Sequence, residues 1–419
     1  MDKLEEQSEP TGCPVEMSDG NPCGRPLHPA PHGVDKPSVC LMHSRDPDKD
    51  AGAFRTEIDA ILAGNSSFHR SVERFDFRGF AFPKYDFSVK VFNKWVDFRG
   101  SVFAQEAEFR FTRFSQGADF CEATFTKGAD FRTANFIKWA GFRRARFIMG
   151  GDFRKVTFSE EGDLSRSVFG PGNGGPTETQ ESESAVADFR GATFLKPELV
   201  RFLQVNRNGG NGLRARFVNC LIKGVRFEDV HWHRESGRMV LQDELDRLAN
   251  AGDAASYEQV AAAYRRFVIN FDETKQYELA EDCMIGAMET KRRDPSHFLF
   301  SKWLRPYYER CSWLRRLGEQ VSVTNLYRLA SNYGSSYVLA FWVLLLLLIV
   351  FALLLTLAGV TCTLVPEGLI HSIEVATFQR QARYEVGNGL GWSLEHAERL
   401  LVAAQAALLL LALRRRFRR

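Results

Sequence analysis

The chain has 419 residues, too many for one ordinary core and enough for two or three domains. A formal net charge of +3 excludes a global acidic or basic bias toward a polyanionic partner. Against 10 tyrosines and 7 tryptophans stand 35 phenylalanines, an excess expected of a repeat that returns one side chain to one interior position.

The N-terminus, Met1-Asp2-Lys3-Leu4-Glu5-Glu6, is acidic and has no apolar h-region, so no cleavable signal peptide is expected. The eight cysteines are scattered, and with no export signal the expectation is reduced thiols in a cytosolic body. Within residues 1–50, Cys13, Cys23, Cys40 and His43 read as a zinc knuckle, with Cys40-Leu41-Met42-His43 as its tighter half. Thiolate and imidazole ligands suit Zn²⁺, and a closed set of four implies a structural site. The segment is rich in proline and glycine and poor in apolar residues, so it needs a staple to fold. His28 and His32 are spare candidates, and a tail with incidental cysteines is the competing reading. A short helix follows (segment 51–66, centred on Ala53 to Leu62).

From Phe77 the phenylalanines keep time. Phe77, Phe82, Phe87 and Phe92 step by five; the interval then alternates six and five through Phe98, Phe103, Phe109, Phe114, Phe120, Phe125, Phe131 and onward to Phe169. The beat returns at Phe189 and Phe194, and as Phe217, Ile222, Phe227 and Trp232. Neither a helix nor an alternating strand gives this spacing. Two residues before most of these positions sits a small side chain, as in Ala118, Ala123, Ala129 and Ala134, so large and small residues share the inward face.

The tracts Ala118-Asp119-Phe120, Ala123-Thr124-Phe125 and Ala129-Asp130-Phe131 resemble the pentapeptide-repeat family. The resemblance implies a right-handed quadrilateral β-helix over residues 70–235, one pentad per side; the alternating sixth residue departs from the family and is expected to widen alternate corners. It also matches the Cys/His lead-in that ends in Asp46 to Asp50. Gly170 to Ala185 breaks the beat, a flexible insertion at 170–186, and Asn206 to Gly212 reads as a shorter one. Some members of the family are acidic mimics of duplex DNA. Between Phe75 and Phe169 about 16 Lys/Arg face about 12 Asp/Glu, whereas a duplex mimic needs dense negative charge, so that role is rejected and no nucleic-acid partner is expected.

Residues 238–294 read as a helical hairpin, Tyr257 to Phe271 and Tyr277 to Arg293 around a turn at Asp272 to Lys275, similar to a tetratricopeptide unit. A single unit makes no peptide groove, so a connector capping the solenoid is the plainer role. Aromatic and basic residues interleave over 295–335, including Trp303, Arg305, Trp313, Arg315 and Arg316, as in interfacial helices.

Segment 336–362 contains a run of about 24 uncharged residues, a transmembrane helix. The second span, 391–413, is less clean: Leu400 to Leu413 is short of a crossing, and extending it upstream brings in Glu395, His396, Glu398 and Arg399. Between them, 363–390 forms a loop whose part Ile370 to Phe378 is apolar enough to dip back. The basic tail 414–419, with Arg414, Arg415 and Arg416, and the arginines before the first span put both flanks in the cytoplasm, at the inner membrane of the cell.

This organisation, a β-helix followed by an α-helical hairpin and a two-helix transmembrane domain, leaves two readings. One is a non-enzymatic anchored scaffold whose cytosolic solenoid binds a protein. The other is a homo-oligomeric gated ion channel, the layout of the C-terminal part being similar to two-span channels, with Glu395, Glu398 and Gln405 lining a water-filled axis. No phosphate loop, His-Glu-x-x-His or Gly-x-Ser-x-Gly pattern points to an enzyme.

Overall fold

Short parallel strands, each two to four residues long, turn the phenylalanine beat into a solenoid in the computed structural model, which describes residues 12–29, 38–68, 71–170, 185–207, 212–298, 310–361, 367–377 and 389–417. The chain divides into two units, Met1–Cys283 and Met284–Arg419.

In the first unit, Ala118–Asp119, Thr124–Phe125, Ala129–Asp130 and Asn135–Phe136 each join a different parallel sheet before Trp139–Gly141 returns to the first. Ala118 lies opposite Ala140 and Ala140 opposite Gly162, so one turn advances the chain by 22 residues. Two five-residue and two six-residue intervals make up that period. The largest sheet has seven strands, which corresponds to about six turns.

Register converts the sequence beat into four internal columns. Phe120 stacks on Phe98 at 4.8 Å and on Phe142 at 5.1 Å, nearly parallel; Phe103, Phe125 and Phe147 repeat the arrangement at 4.9 and 4.7 Å. Ring separation follows strand spacing because each ring stands on a strand directly above its predecessor. Across the lumen, Phe120 meets Phe131 edge to face at 5.4 Å, a geometry that adds about 0.5–1.5 kcal/mol to area burial. The small positions are equally buried: Ala118, Ala123, Ala140 and Ala145 are wholly enclosed.

The two interval lengths make different corners. Most five-residue intervals close a β-turn, as where Ala123 N donates to Phe120 O at 3.0 Å, with Glu122 left-handed at φ 60°. An aspartate before the central phenylalanine supports the turn: Asp119 Oδ1 accepts from Cys121 N at 2.9 Å. Three of the six-residue intervals bend through glycine, with Gly117 at φ 115°, Gly128 at φ 143° and Gly150 at φ 92°.

Most of the first insertion, residues 171–184, lies outside the described residues. The second begins later than the spacing suggests. Asn206 is wholly buried, and its side chain substitutes for a strand: Phe169 N donates to Oδ1 at 2.7 Å and Nδ2 donates to Phe169 O at 2.9 Å.

Both ends of the solenoid are covered. Helix α1 (Ala51–Ala63), capped by Asp50, packs Phe54 edge to face on Phe82 at 5.4 Å. At the other end come α2 (Gln242–Leu248), α3 (Tyr257–Glu273) and α4 (Tyr277–Arg292). Phe267 of α3 lies 5.1 Å from Phe217 and 5.4 Å from Phe227. Asn270 donates to the carbonyls of Ile222 and Val225 at 2.8 and 2.9 Å, supplying N–H groups that a further turn would have supplied. Helix α3 runs through Asp272 and Glu273, so the bend falls one or two residues beyond the expected turn, with left-handed Lys275.

The second unit continues with α5 (Ser312–Val321), α6 (Val323–Ser331), α7 (Tyr337–Leu357), α8 (Leu369–Ala376) and α9 (Gly389–Phe417). Two of these, α7 with 21 residues and α9 with 29, are long and apolar enough to cross a membrane. Continuous helix from Gly389 gives α9 about 43 Å at 1.5 Å per residue, so it is not the short span that Leu400 to Leu413 alone suggests. The two run antiparallel: Gln405 donates to Ala340 O at 2.8 Å and Arg415 to Tyr333 O at 3.0 Å. Trp313, Leu317, Leu326 and Leu329 of α5 and α6 are exposed.

Candidate functional site

A buried Cys₃His cluster lies at the N-terminal end of the solenoid. Cys13 and Cys23 stand on the two arms of a small hairpin, held by Cys13 N to Arg25 O at 2.9 Å and Cys23 N to Val15 O at 2.8 Å. Cys40 opens a tight turn in which its carbonyl accepts from His43 N and Ser44 N, at 3.1 and 2.9 Å, placing thiol and imidazole on one side. The potential ligand atoms of Cys13, Cys23, Cys40 and His43 all lie within 4.8 Å of one another.

Metal chemistry fits this set. Four tetrahedral ligands with metal–sulfur bonds of about 2.3 Å place sulfurs about 3.8 Å apart; Cys23 Sγ and Cys40 Sγ are 3.9 Å apart. His43 Nδ1 lies 3.4 Å from Cys13 Sγ and 3.2 Å from Cys40 Sγ. The other ring nitrogen is 3.1 Å from Arg78 O; donating there it fixes the tautomer and leaves Nδ1 to bind. Arg25 donates to Cys23 Sγ at 3.2 Å and is itself held by Glu57 at 2.8 Å, a cation that favours thiolate. Hydrogen bonds from Cys13 and Cys40 hold the Cys23 thiol below the usual range, and hydrogen bonds to Cys13 and Cys23 push Cys40 up. Burial opposes charge on His43, but its contacts with Cys13 and Cys23 outweigh it and raise the imidazole to about 9. The thiols thus contend for shared protons, which a divalent cation would displace. His28 lies outside the cluster, 3.8 Å from Asp46, and His32 outside the described residues.

The cluster is tied to the first turn of the solenoid. Ser18 N and Oγ both donate to Asp76 Oδ2, at 2.8 and 2.5 Å. Ala81 N donates to Met42 O at 2.8 Å, and Lys49 Nζ bridges Leu41 O, Ser44 O and Ala81 O. A backbone edge otherwise open to pairing is thereby closed.

On the solenoid surface, aspartate and arginine alternate at turn spacing. Arg132 grips Asp130 and Arg154 grips Asp152 at 2.7 Å, Arg190 grips Asp188 at 2.8 Å, and Arg132 also reaches Asp152 at 3.5 Å. These residues, with Arg216, Asp246 and Asp253, line a polar groove of about 540 Å³. The sequence held the signal, the recurring Asp-Phe-Arg triplet, but not its lateral alignment.

In the second unit, Glu395, Glu398 and Gln405 turn inward onto the chain's own helices. His371 Nε2 lies 3.0 Å from Glu395 Oε1, and Arg399 donates to Glu395 Oε2 at 3.3 Å. Ser372 Oγ contacts both Glu398 Oε1 and, at 3.2 Å, Leu348 O. Gln405 Nε2 donates to Ala330 O and Ala340 O, each at 2.8 Å. Neither His371 nor Ser372 stood out in the sequence, since nothing in its spacing marks them. Of the flanking arginines, Arg316, Arg414, Arg415 and Arg416 are exposed, Arg305 lies outside the described residues, and the side chain of Arg315 is likewise outside them. Compared with known proteins, the chain matches no family model, no curated protein and no solved structure.

Proposed function

We propose that the chain is a membrane-anchored, non-enzymatic recognition scaffold of the pentapeptide-repeat type, whose right-handed, four-sided solenoid meets a protein partner in the cytoplasm. The observation that carries this reading is the closure of both solenoid ends together with a fixed lattice of paired charges along its side. With its ends occupied, the solenoid offers its faces, and rigid ion-paired ladders supply specificity and register more than bulk affinity. Helices α7 and α9 anchor it with both termini inside, α5 and α6 lie in the membrane interface, and Cys13, Cys23, Cys40 and His43 hold structural zinc.

The test places a photo-crosslinking residue at Arg132 or Arg154, or on another face at Arg113, in cells. A protein adduct specific to the groove positions supports the scaffold; adducts at none of the positions, or equally at all, overturn it. Alkaline extraction tests the anchor.

A second reading, a homo-oligomeric gated channel, is favoured by one observation: α8 sits between the two long helices with its Ser372 beside Leu348, midway along α7. A re-entrant helix at that depth is a feature of channels. Planar-bilayer recordings that show single-channel steps sensitive to Glu395→Gln would make this reading the better one.

A further inference from the structure

Three oxygens lie in a row across the second unit: Glu398 Oε1 on α9, Ser372 Oγ on α8 and Leu348 O on α7. Two hydrogen bonds join them, yet a serine hydroxyl carries one hydrogen. If Glu398 is ionised, Ser372 faces two acceptors and can serve only one. The other carboxylate oxygen, Oε2, is buried without a hydrogen-bond partner among the described residues, and Glu398 is 0% exposed. An ionised carboxylate there would be a buried charge lacking the donors that normally offset desolvation.

Among the described residues the surroundings supply little compensation. Helix α7 brings no charged side chain to the contact. Helix α8 brings His371 and Glu374, and α9 brings Glu395 and Arg399; Arg399 is engaged with Glu395, and His371 contacts that same carboxylate. Leu348 lies near the midpoint of α7, so the row sits where a bilayer would be driest.

We infer that Glu398 is a proton-binding site at the centre of the membrane unit, a deduction that rests on α7 and α9 lying in a bilayer. One proton taken from water makes the carboxyl a donor to Ser372 Oγ, and the Ser372 hydroxyl then donates to Leu348 O. Each link has one hydrogen and one acceptor, and no net charge remains at that position. Loss of the proton turns the Ser372 hydroxyl to the carboxylate, leaves Leu348 O with its helical hydrogen bond alone and the carboxylate as an uncompensated negative charge, and so loosens the seat of α8 between α7 and α9. The ligand is a proton because the row already closes through direct oxygen–oxygen contacts, with no ion needed to bridge them.

The experiment is infrared difference spectroscopy of the full-length protein in lipid nanodiscs through pH steps. The expected result is a protonated-carboxyl C=O band at neutral pH that vanishes in Glu398→Gln and persists in Glu374→Gln. Absence of the band, its survival in Glu398→Gln, or dependence on sodium or potassium in place of pH overturns the inference. Glutamine donates N–H as the protonated carboxyl donates O–H, so Glu398→Gln should fold, and its melting temperature should fall less with rising pH than that of the native protein. Ser372→Ala keeps the carboxyl but removes its acceptor, and should shift the band; an unshifted band counts equally against the site. Should alkaline extraction release the protein from membranes, the anchor reading fails on its own, whatever the infrared result.

Discussion

At Asp243, in the first turn of α2, the helical cap takes hold of the solenoid. The residue is 2% exposed, and its Oδ2 accepts from Phe217 N at 2.7 Å. Burial pushes its carboxyl up to about 7, the hydrogen bond from Phe217 opposing only in part. A carboxyl raised on folding contributes stability that is present below the ordinary carboxylate range and lost as pH rises through the folded value. Between about pH 4 and about pH 7 the expected loss is on the order of 1.4 kcal/mol per pH unit, levelling off above that. Asp243→Asn keeps the oxygen that accepts from Phe217 and should remove this slope. Chemical denaturation across that pH range checks it: the native protein's advantage over the variant must shrink as pH rises.

At the scale of the element, a turn is held by its ring columns and limited by its corners. Phe131 is wholly buried between Phe109 at 4.9 Å and Phe153 at 5.2 Å. Phe131→Ala should therefore cost about 3–5 kcal/mol, read from the denaturation midpoint of the solenoid unit. The corner at Gly117 has a different constraint. Its φ of 115° suits glycine alone, and an added Cβ would meet the Trp139 carbonyl oxygen at 2.8 Å. Gly117→Ala should lose at least about 1–3 kcal/mol, whereas Gly100→Ala, left-handed but in open space, should lose less. Equal losses at the two sites would show that the close approach to the neighbouring turn does not matter.

Over the whole molecule, the Cys/His cluster, α1 and the helices α2 and α3 act as end covers for a stack that would otherwise expose open turns. Ligand loss should be transmitted to the first turn, because Met42 and Lys49 bind Ala81 and Ser18 binds Asp76 directly. Chelation, or Cys23→Ser, is expected to release about one equivalent of metal and to raise amide exchange first at Phe77 to Phe82. Exchange that rises evenly along the solenoid would mean that the cluster is not a local cover. Self-association through the uncovered edge is the expected secondary effect, measured by light scattering.

The solenoid could be read from the chain alone because its inward positions recur at a fixed interval, and stacking needs nothing more than that repetition. The same is true of α7, whose uninterrupted apolar composition suffices, and of the cysteines, whose chemistry narrows their partners, whereas the length of α9 was blurred by Glu395, His396, Glu398 and Arg399. Contacts that tie distant positions together could not be read this way. Asn206 completes a strand ladder beside Phe169, Asn270 caps the carbonyls of Ile222 and Val225, and Ser372 bridges Leu348 and Glu398. Each is a single polar side chain whose role depends on where the backbone of a separate segment arrives. A periodic signal carries no information about such meetings, so packing of the folded chain decided them.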